Sequence, residues 1–368
     1  MNRRLVAVGL AVAVALAGCG GTMPRPRPTA TPTPKPPTDE QLLQRALDAR
    51  ASAVRAPGLG VHGVALKLDG ARVRGDRARI RVRLTYRVLG VPGSFGASRR
   101  LSARRGADGR WRIGGPVGTR DRAPWEADRY RRLATGHFVV WFPRGVDLDG
   151  LPVALDEGYV RMRTALRAGT LRKRYLVVVA RDARHGRRIT SSIRGLRGLT
   201  ALTDTQVRQS GPAERVVSVA SQRVLVLLPA FASLDPEQQR QTVAHELTHA
   251  TLAPVTSGRV PSWLIEGIAM YVSGDRRPAA PSPTLRALSA PDAIGRLDGA
   301  AQADAYGVAS AAAFAIADRY GPRRLLALYE VFNGEGLRGK AGDPALVDRA
   351  VRQVLGVSLR TLQRRLRP

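Results

Sequence analysis

The sequence is poor in cysteine, histidine, lysine, acids and aromatics. It has one cysteine among 368 residues, Cys19, so no intrachain disulfide can form. Only four of the 60 basic residues are Lys, and 29 Asp and Glu oppose them. Beyond Leu5 to Ala17, no apolar run approaches the ~20 residues of a membrane-spanning helix. There is no basic helix, RNA-binding signature or zinc knuckle, and no phosphate loop, dinucleotide fingerprint or Ser/His/Asp triad, which sets aside the chemistries those patterns serve. What is abundant is Arg, alongside Ala, Gly and Val, the composition a GC-rich genome writes. Whatever its origin, the formal charge of +31 makes a cationic body drawn to anionic lipid or acidic wall polymer.

The first residues read as an export signal. Arg3 and Arg4 form a charged start, and Leu5 to Ala17 is an apolar core too short to span a bilayer comfortably. Leu16-Ala17-Gly18-Cys19 resembles the lipobox of bacterial lipoproteins, in which the cysteine is lipidated and becomes the first mature residue. The expectation is a signal peptide over 1–18 and a Pro/Thr-rich extended tether over 19–38. The mature chain is then exported and anchored by Cys19 to the extracytoplasmic face of the membrane rather than spanning it. Export argues against nucleic acid as a partner.

Two folded regions follow, 39–126 and 127–368, each expected to be α+β. In the first, Asp39 can cap a helix carrying Leu42, Leu43, Ala46 and Leu47. Over 77–89, Ala78, Ile80, Val82, Leu84, Tyr86 and Val88 alternate with Arg77, Arg79, Arg81, Arg83, Thr85 and Arg87, the pattern of a half-buried antiparallel strand. Asp108-Gly109 predicts a hairpin turn between 99–105 and 110–114. A helix followed by a curved sheet resembles the NTF2-like or cystatin-like fold. In the second region, strands are expected at Phe138 to Phe142, Tyr175 to Ala180 and Val216 to Leu228, with a helix from Pro152. Residues 183–215 read as a long Arg-, Ser- and Gly-rich loop, and from Asp235 onward the chain reads as helix.

The chemistry concentrates in Thr242-Val243-Ala244-His245-Glu246-Leu247-Thr248-His249. Asp235 as N-cap, Pro236 at the first helical position and Gln238 three residues after the cap predict a helix start. His245 and His249, four residues apart, then share one helix face and can both reach one zinc ion. Glu246 is placed to contact water at the metal rather than the metal, which is the H-E-x-x-H arrangement of metallopeptidases. Glu266 lies inside the apolar run Trp263-Leu264-Ile265-Glu266-Gly267-Ile268-Ala269, where an unpaired carboxylate is costly and a cation would neutralise it. Among the other histidines, His62, His137 and His185 read as structural or solvated. Asp298 and Asp304 are equal candidates for orienting the zinc histidines.

His-Glu-Leu-Thr-His followed by Trp-Leu-Ile-Glu-Gly-Ile-Ala resembles the gluzincin, or peptidase MA-like, metallopeptidases related to thermolysin and aminopeptidase N. The resemblance covers about residues 130–368. It implies one zinc per chain, ligands His245, His249 and Glu266, catalytic Glu246, and a sheet edge near Val224 to Leu228 that pairs with an extended peptide or protein substrate. Related enzymes use a downstream tyrosine as oxyanion donor. Tyr306 stands in that role or packs in the helix layer, and Tyr271 reads as core. Two other readings remain open from sequence: a catalytically silent binding or assembly lipoprotein, against which the intact Glu246 argues, and a zinc amidase acting on cell-wall material.

Overall fold

Alternation and long apolar runs become two different sheets. The computed structural model describes residues 35–56, 58–118, 122–166, 171–190, 199–211 and 214–366, and places Asp39–Pro368 in one compact unit. Cys19, the signal segment and most of the tether lie outside the described residues. Among the described residues no helix is long and apolar enough to cross a membrane.

The unit begins with α1 (Asp39–Ala53), so Asp39 is the first helical residue rather than the cap. Four antiparallel strands follow in the order β1 (Val61–Arg74), β2 (Arg77–Val88), β3 (Val91–Arg105) and β4 (Trp111–Pro116). In β2 the apolar residues of the alternating pattern are buried and the arginines exposed, as expected for a strand with one face in water. Asp108 and Gly109 lie in the turn between β3 and β4.

After the short α2 (Pro124–Ala127) comes a mixed sheet. Its strands are β5 (Tyr130–Ala134), β6 (Phe138–Pro143), β7 (Tyr175–Ala180), β8 (Ala201–Ser210) and β9 (Arg215–Leu227), in spatial order β5-β6-β7-β9-β8. Helix α3 (Leu151–Ala165) connects the parallel pair β6 and β7, and α4 (Ala183–Ile189) follows β7. Every residue of β7 is buried, the mark of an internal parallel strand covered on both faces. Its odd-numbered residues Tyr175, Val177 and Val179 enter one core with α3 and the later helices. Leu176, Val178 and Ala180 enter a second core shared with α1 and the first sheet. The boundary expected at 126/127 therefore falls between the sheets, and the second core spans it.

Two expectations need correction. The segment read as a long loop over 183–215 contains α4 and β8; their Arg and Thr content conceals them because both carry exposed faces. Residues 191–198 and 212–213 within it are not described. The stretch Val224 to Leu228 is not a sheet edge, since β9 pairs with β7 on one side and β8 on the other, and its apolar run is that of an internal strand. The edge is β8.

From residue 228 the chain is helical: α5 (Leu228–Ala232), α6 (Pro236–Leu252), α7 (Ser262–Ser273), α8 (Gly299–Tyr320), α9 (Pro322–Glu330), α10 (Pro344–Leu355) and α11 (Leu359–Arg365). Strands then helices, with both sheets, make the chain α+β.

One buried ion pair ties two strands of the mixed sheet together. Asp204 of β8 and Arg223 of β9 stand directly opposite in register, and Arg223 donates to Asp204 through Nε at 2.9 Å and Nη2 at 2.7 Å. Burial pushes the nearby Tyr86 phenol up to about 12. Removing one partner strands the other charge, so Asp204→Ala is expected to destabilise the fold by about 3–5 kcal/mol. Urea unfolding followed by circular dichroism checks this.

Candidate metal centre

The start of α6 is built as its sequence predicts. Asp235 Oδ1 accepts from the Gln238 N–H at 2.8 Å, and Gln238 Oε1 accepts from the Asp235 N–H at 3.3 Å, closing a capping box with Pro236 at the first helical position. Val243, Leu247 and Ala250 seat the helix in the first core. Gly158 of α3 allows close approach, since a Cβ there would lie 2.6 Å from Val243 Cγ1. The orientation of α6 follows from that seating, and it turns His245 and His249 toward α7.

α7 is a buried helix interrupted by one acid. Trp263, Leu264 and Ile268 are in the core, and Gly274 ends the helix in the left-handed conformation. Gly267 lets α7 press against α8: a Cβ at that position would stand 2.5 Å from the Ala309 carbonyl oxygen. This contact brings Tyr306, one turn before Ala309 on α8, to the same region as Glu266.

The three expected ligands meet. His245 Nε2 lies 3.0 Å from His249 Nε2, and Glu266 Oε2 lies 3.2 Å from the first and 3.6 Å from the second. The imidazole rings are nearly perpendicular, at 80°. Donors held ~2.0–2.2 Å from a tetrahedral zinc are separated by about 3.3–3.6 Å; the 3.6 Å edge lies in that range and the 3.2 and 3.0 Å edges fall just short of it, so a small outward shift of the imidazoles admits one ion. Among the described residues these three form the one group of His, Cys, Asp and Glu close enough to hold a metal. Among the described residues the ion-pair partners of Glu266 are the two imidazoles.

Electrostatics agree with the geometry. Burial alone would raise the Glu266 carboxyl, but the two imidazoles override it and hold it well below the usual carboxylate range. Burial likewise opposes a charged His249, and the Glu266 carboxylate outweighs it, leaving the imidazole above its ordinary value. The donors therefore offer one firmly ionised carboxylate to a cation.

Glu246 points elsewhere. It is 8% exposed and contacts β8, where Thr203 Oγ1 lies 2.7 Å from Glu246 Oε2 and 2.8 Å from its backbone oxygen. The single hydroxyl proton is shared between these acceptors and fixes the carboxylate beside His245. Both residues line a cleft of ≈ 370 Å³ together with Tyr306, Arg277 and residues 200–201 at the start of β8. Glu266, then burial, then Glu246 push the Tyr306 phenol upward, so it keeps its proton. Arg277 lies 5.7 Å from the Tyr306 ring centroid and pairs with Asp275 at 2.7 Å.

No protein-family model, curated protein or solved structure matches this chain.

The remaining sequence candidates separate from the site. Tyr271 stacks edge-on with Phe314 in the helix layer. His185 is buried, accepts from the Arg181 N–H through Nδ1 and meets the Tyr130 hydroxyl through Nε2. His137 stacks on Tyr159, and His62 is exposed on β1. Asp298 stands at the N-cap position of α8 without a side-chain cap bond and Asp304 is exposed; among the described residues neither bonds to His245 or His249. Sequence reasoning missed Thr203 because it lies on a strand read as loop, and Arg277 because an isolated Arg in an Arg-rich chain carries no signal.

These shifts set the sign of a pH test. With its value raised, His249 contributes an attraction that is complete below the ordinary imidazole value and is lost as pH rises through the raised one. Glu266 contributes above the ordinary carboxylate value, and its part is lost only as pH falls through the depressed one. The chelator-treated protein should therefore lose thermal stability as pH rises from about 6.5, while zinc-loaded protein should gain over the same range because deprotonation frees ligands. Thermal melts with and without zinc check the opposed slopes.

Proposed function

We propose that this chain is a zinc-dependent hydrolase of peptide bonds, resembling the gluzincins, which works at the outer face of a bacterial membrane to which Cys19 ties it. The observation that carries the reading is the triangle of His245 Nε2, His249 Nε2 and Glu266 Oε2, whose edges are close to those around one tetrahedral zinc, with Glu246 outside the triangle and lining the adjoining cleft.

Zinc held there supplies a Lewis acid that polarises a carbonyl and acidifies water. Glu246 accepts the proton of the attacking water and passes it to the departing amine. Thr203 keeps that carboxylate aimed into the cleft, and its near-complete burial limits competition from bulk water. Tyr306 retains its proton beside two carboxylates, so its O–H is available to donate to the oxygen that gains charge. β8, which among the described residues pairs only with β9, begins at the cleft with Ala201, so its outer edge leads away from the cleft with unpaired backbone N–H and C=O groups. An extended peptide adds to such an edge as a further strand, which favours a peptide substrate over a compact amide.

Two substitutions test these roles on the full chain. Glu246→Gln should retain about one zinc per chain and lose turnover of a peptide library by about 10²- to 10⁴-fold. Undiminished cleavage by this variant rejects the reading. Tyr306→Phe should lower kcat by about 10²- to 10³-fold with KM little changed; an unchanged kcat assigns Tyr306 to packing alone.

A further inference from the structure

The exposed face of the first sheet carries a second pattern. Register places Arg74 opposite Arg77, Arg77 opposite Arg104, and Arg104 opposite Arg112, so one row of arginines crosses all four strands. In the next row Arg72 faces Arg79, and in the third Arg81 faces Arg100. Strand neighbours lie ~4.8 Å apart and same-face residues along a strand ~6.6–7 Å apart, so the guanidinium groups form a two-dimensional lattice. Acids touch only its margins: Asp76 meets Arg104 at 3.2 Å and Asp108 meets Arg112 at 3.9 Å. Arg72, Arg74, Arg77, Arg79, Arg81 and Arg100 have no carboxylate partner among the described residues. Six of the arginines also border a concavity of ≈ 590 Å³.

Like charges set directly opposite on a sheet are destabilising. A fold that repeats this pairing row after row gains most from a partner that supplies an equally extended layer of anions. We propose that this face docks on the phosphates of an anionic phospholipid surface. Arginine matches phosphate oxygens bidentately, and the lattice extends in two dimensions, as a headgroup layer does. The face offers no stacking platform for nucleic-acid bases, because the sheet's Tyr86, Phe95 and Trp111 are all buried on the inner side. The inner side of this sheet packs on the mixed sheet, whose other face carries the helices, so a surface docked on the arginines leaves the metal cleft open. The proposal depends neither on the metal centre nor on a lipid at Cys19.

The test is co-sedimentation of the full chain with vesicles of phosphatidylcholine alone and of phosphatidylcholine mixed with phosphatidylglycerol. A lipid anchor acts equally on both, so their ratio reads charge. The variant Arg72→Gln/Arg74→Gln/Arg77→Gln/Arg79→Gln should lose the preference for phosphatidylglycerol by about 600-fold, since each of the four basic side chains at an anionic surface contributes about a fivefold factor. Arg286→Gln/Arg323→Gln/Arg338→Gln/Arg360→Gln removes as many exposed charges from the helical half and should keep the preference. Relief of like-charge pairing predicts a melting temperature for the sheet variant no lower than the parent's, which separates lost docking from lost folding. Equal losses in both variants would assign the effect to net charge and overturn the proposal. So would binding to soluble inorganic polyphosphate without any preference for phosphatidylglycerol vesicles.

Discussion

A carboxylate on a largely apolar helix needs a counter-charge, and the helical half of this protein is arranged around that need. Glu266 sits in α7 among tryptophan, leucine and isoleucine, where an unpaired anion would cost several kcal/mol. The two imidazoles of α6 answer it, and in doing so they bring three donor atoms within the span of one ion. Much nearby structure serves this approach. The capping box starts α6 in a defined place, Gly158 sets its distance from α3, and Gly267 lets α7 lie close enough to α8 for Tyr306 to join the cleft.

The mixed sheet supplies the other wall. Its central strands send alternate side chains into two cores, which ties the helical layer to the four-stranded sheet as one body. Its outermost strand on this side, β8, pairs only with β9 among the described residues, and the Thr203 hydroxyl of that strand holds Glu246. The adjacent His245 and Glu246 of α6 thus answer to different neighbours: Glu266 of α7 for His245, as for His249, and Thr203 of β8 for Glu246.

What could be read from sequence was what depends on near neighbours in the chain. The capping signals of α6, the four-residue spacing of His245 and His249 and the strict alternation of β2 are local, and all are present in the structure. Glu266 was legible for another reason, because an acid inside an apolar run is an anomaly that burial must resolve. β8 was not legible: its Thr, Gln and Arg residues take strand form because β9 pairs with them, not because of their own pattern. Thr203 was hidden with it. The identity of the sheet edge failed for the same reason, since β9 precedes the motif helix in sequence while β8 lies outside it in space. The second core, shared between regions that read as separate, also rests on contacts between distant segments.

The central claim is that two imidazoles from one helical turn and the carboxylate of the next helix take hold of a single zinc ion. X-ray absorption at the zinc edge on the purified, dialysed full chain tests it most directly. The expected result is about one tightly held zinc per chain, with a light-atom first shell at ~2.0–2.2 Å and the outer-shell scattering of two imidazoles. Zinc lost on dialysis, or retained with the signature of fewer than two imidazoles, would contradict it.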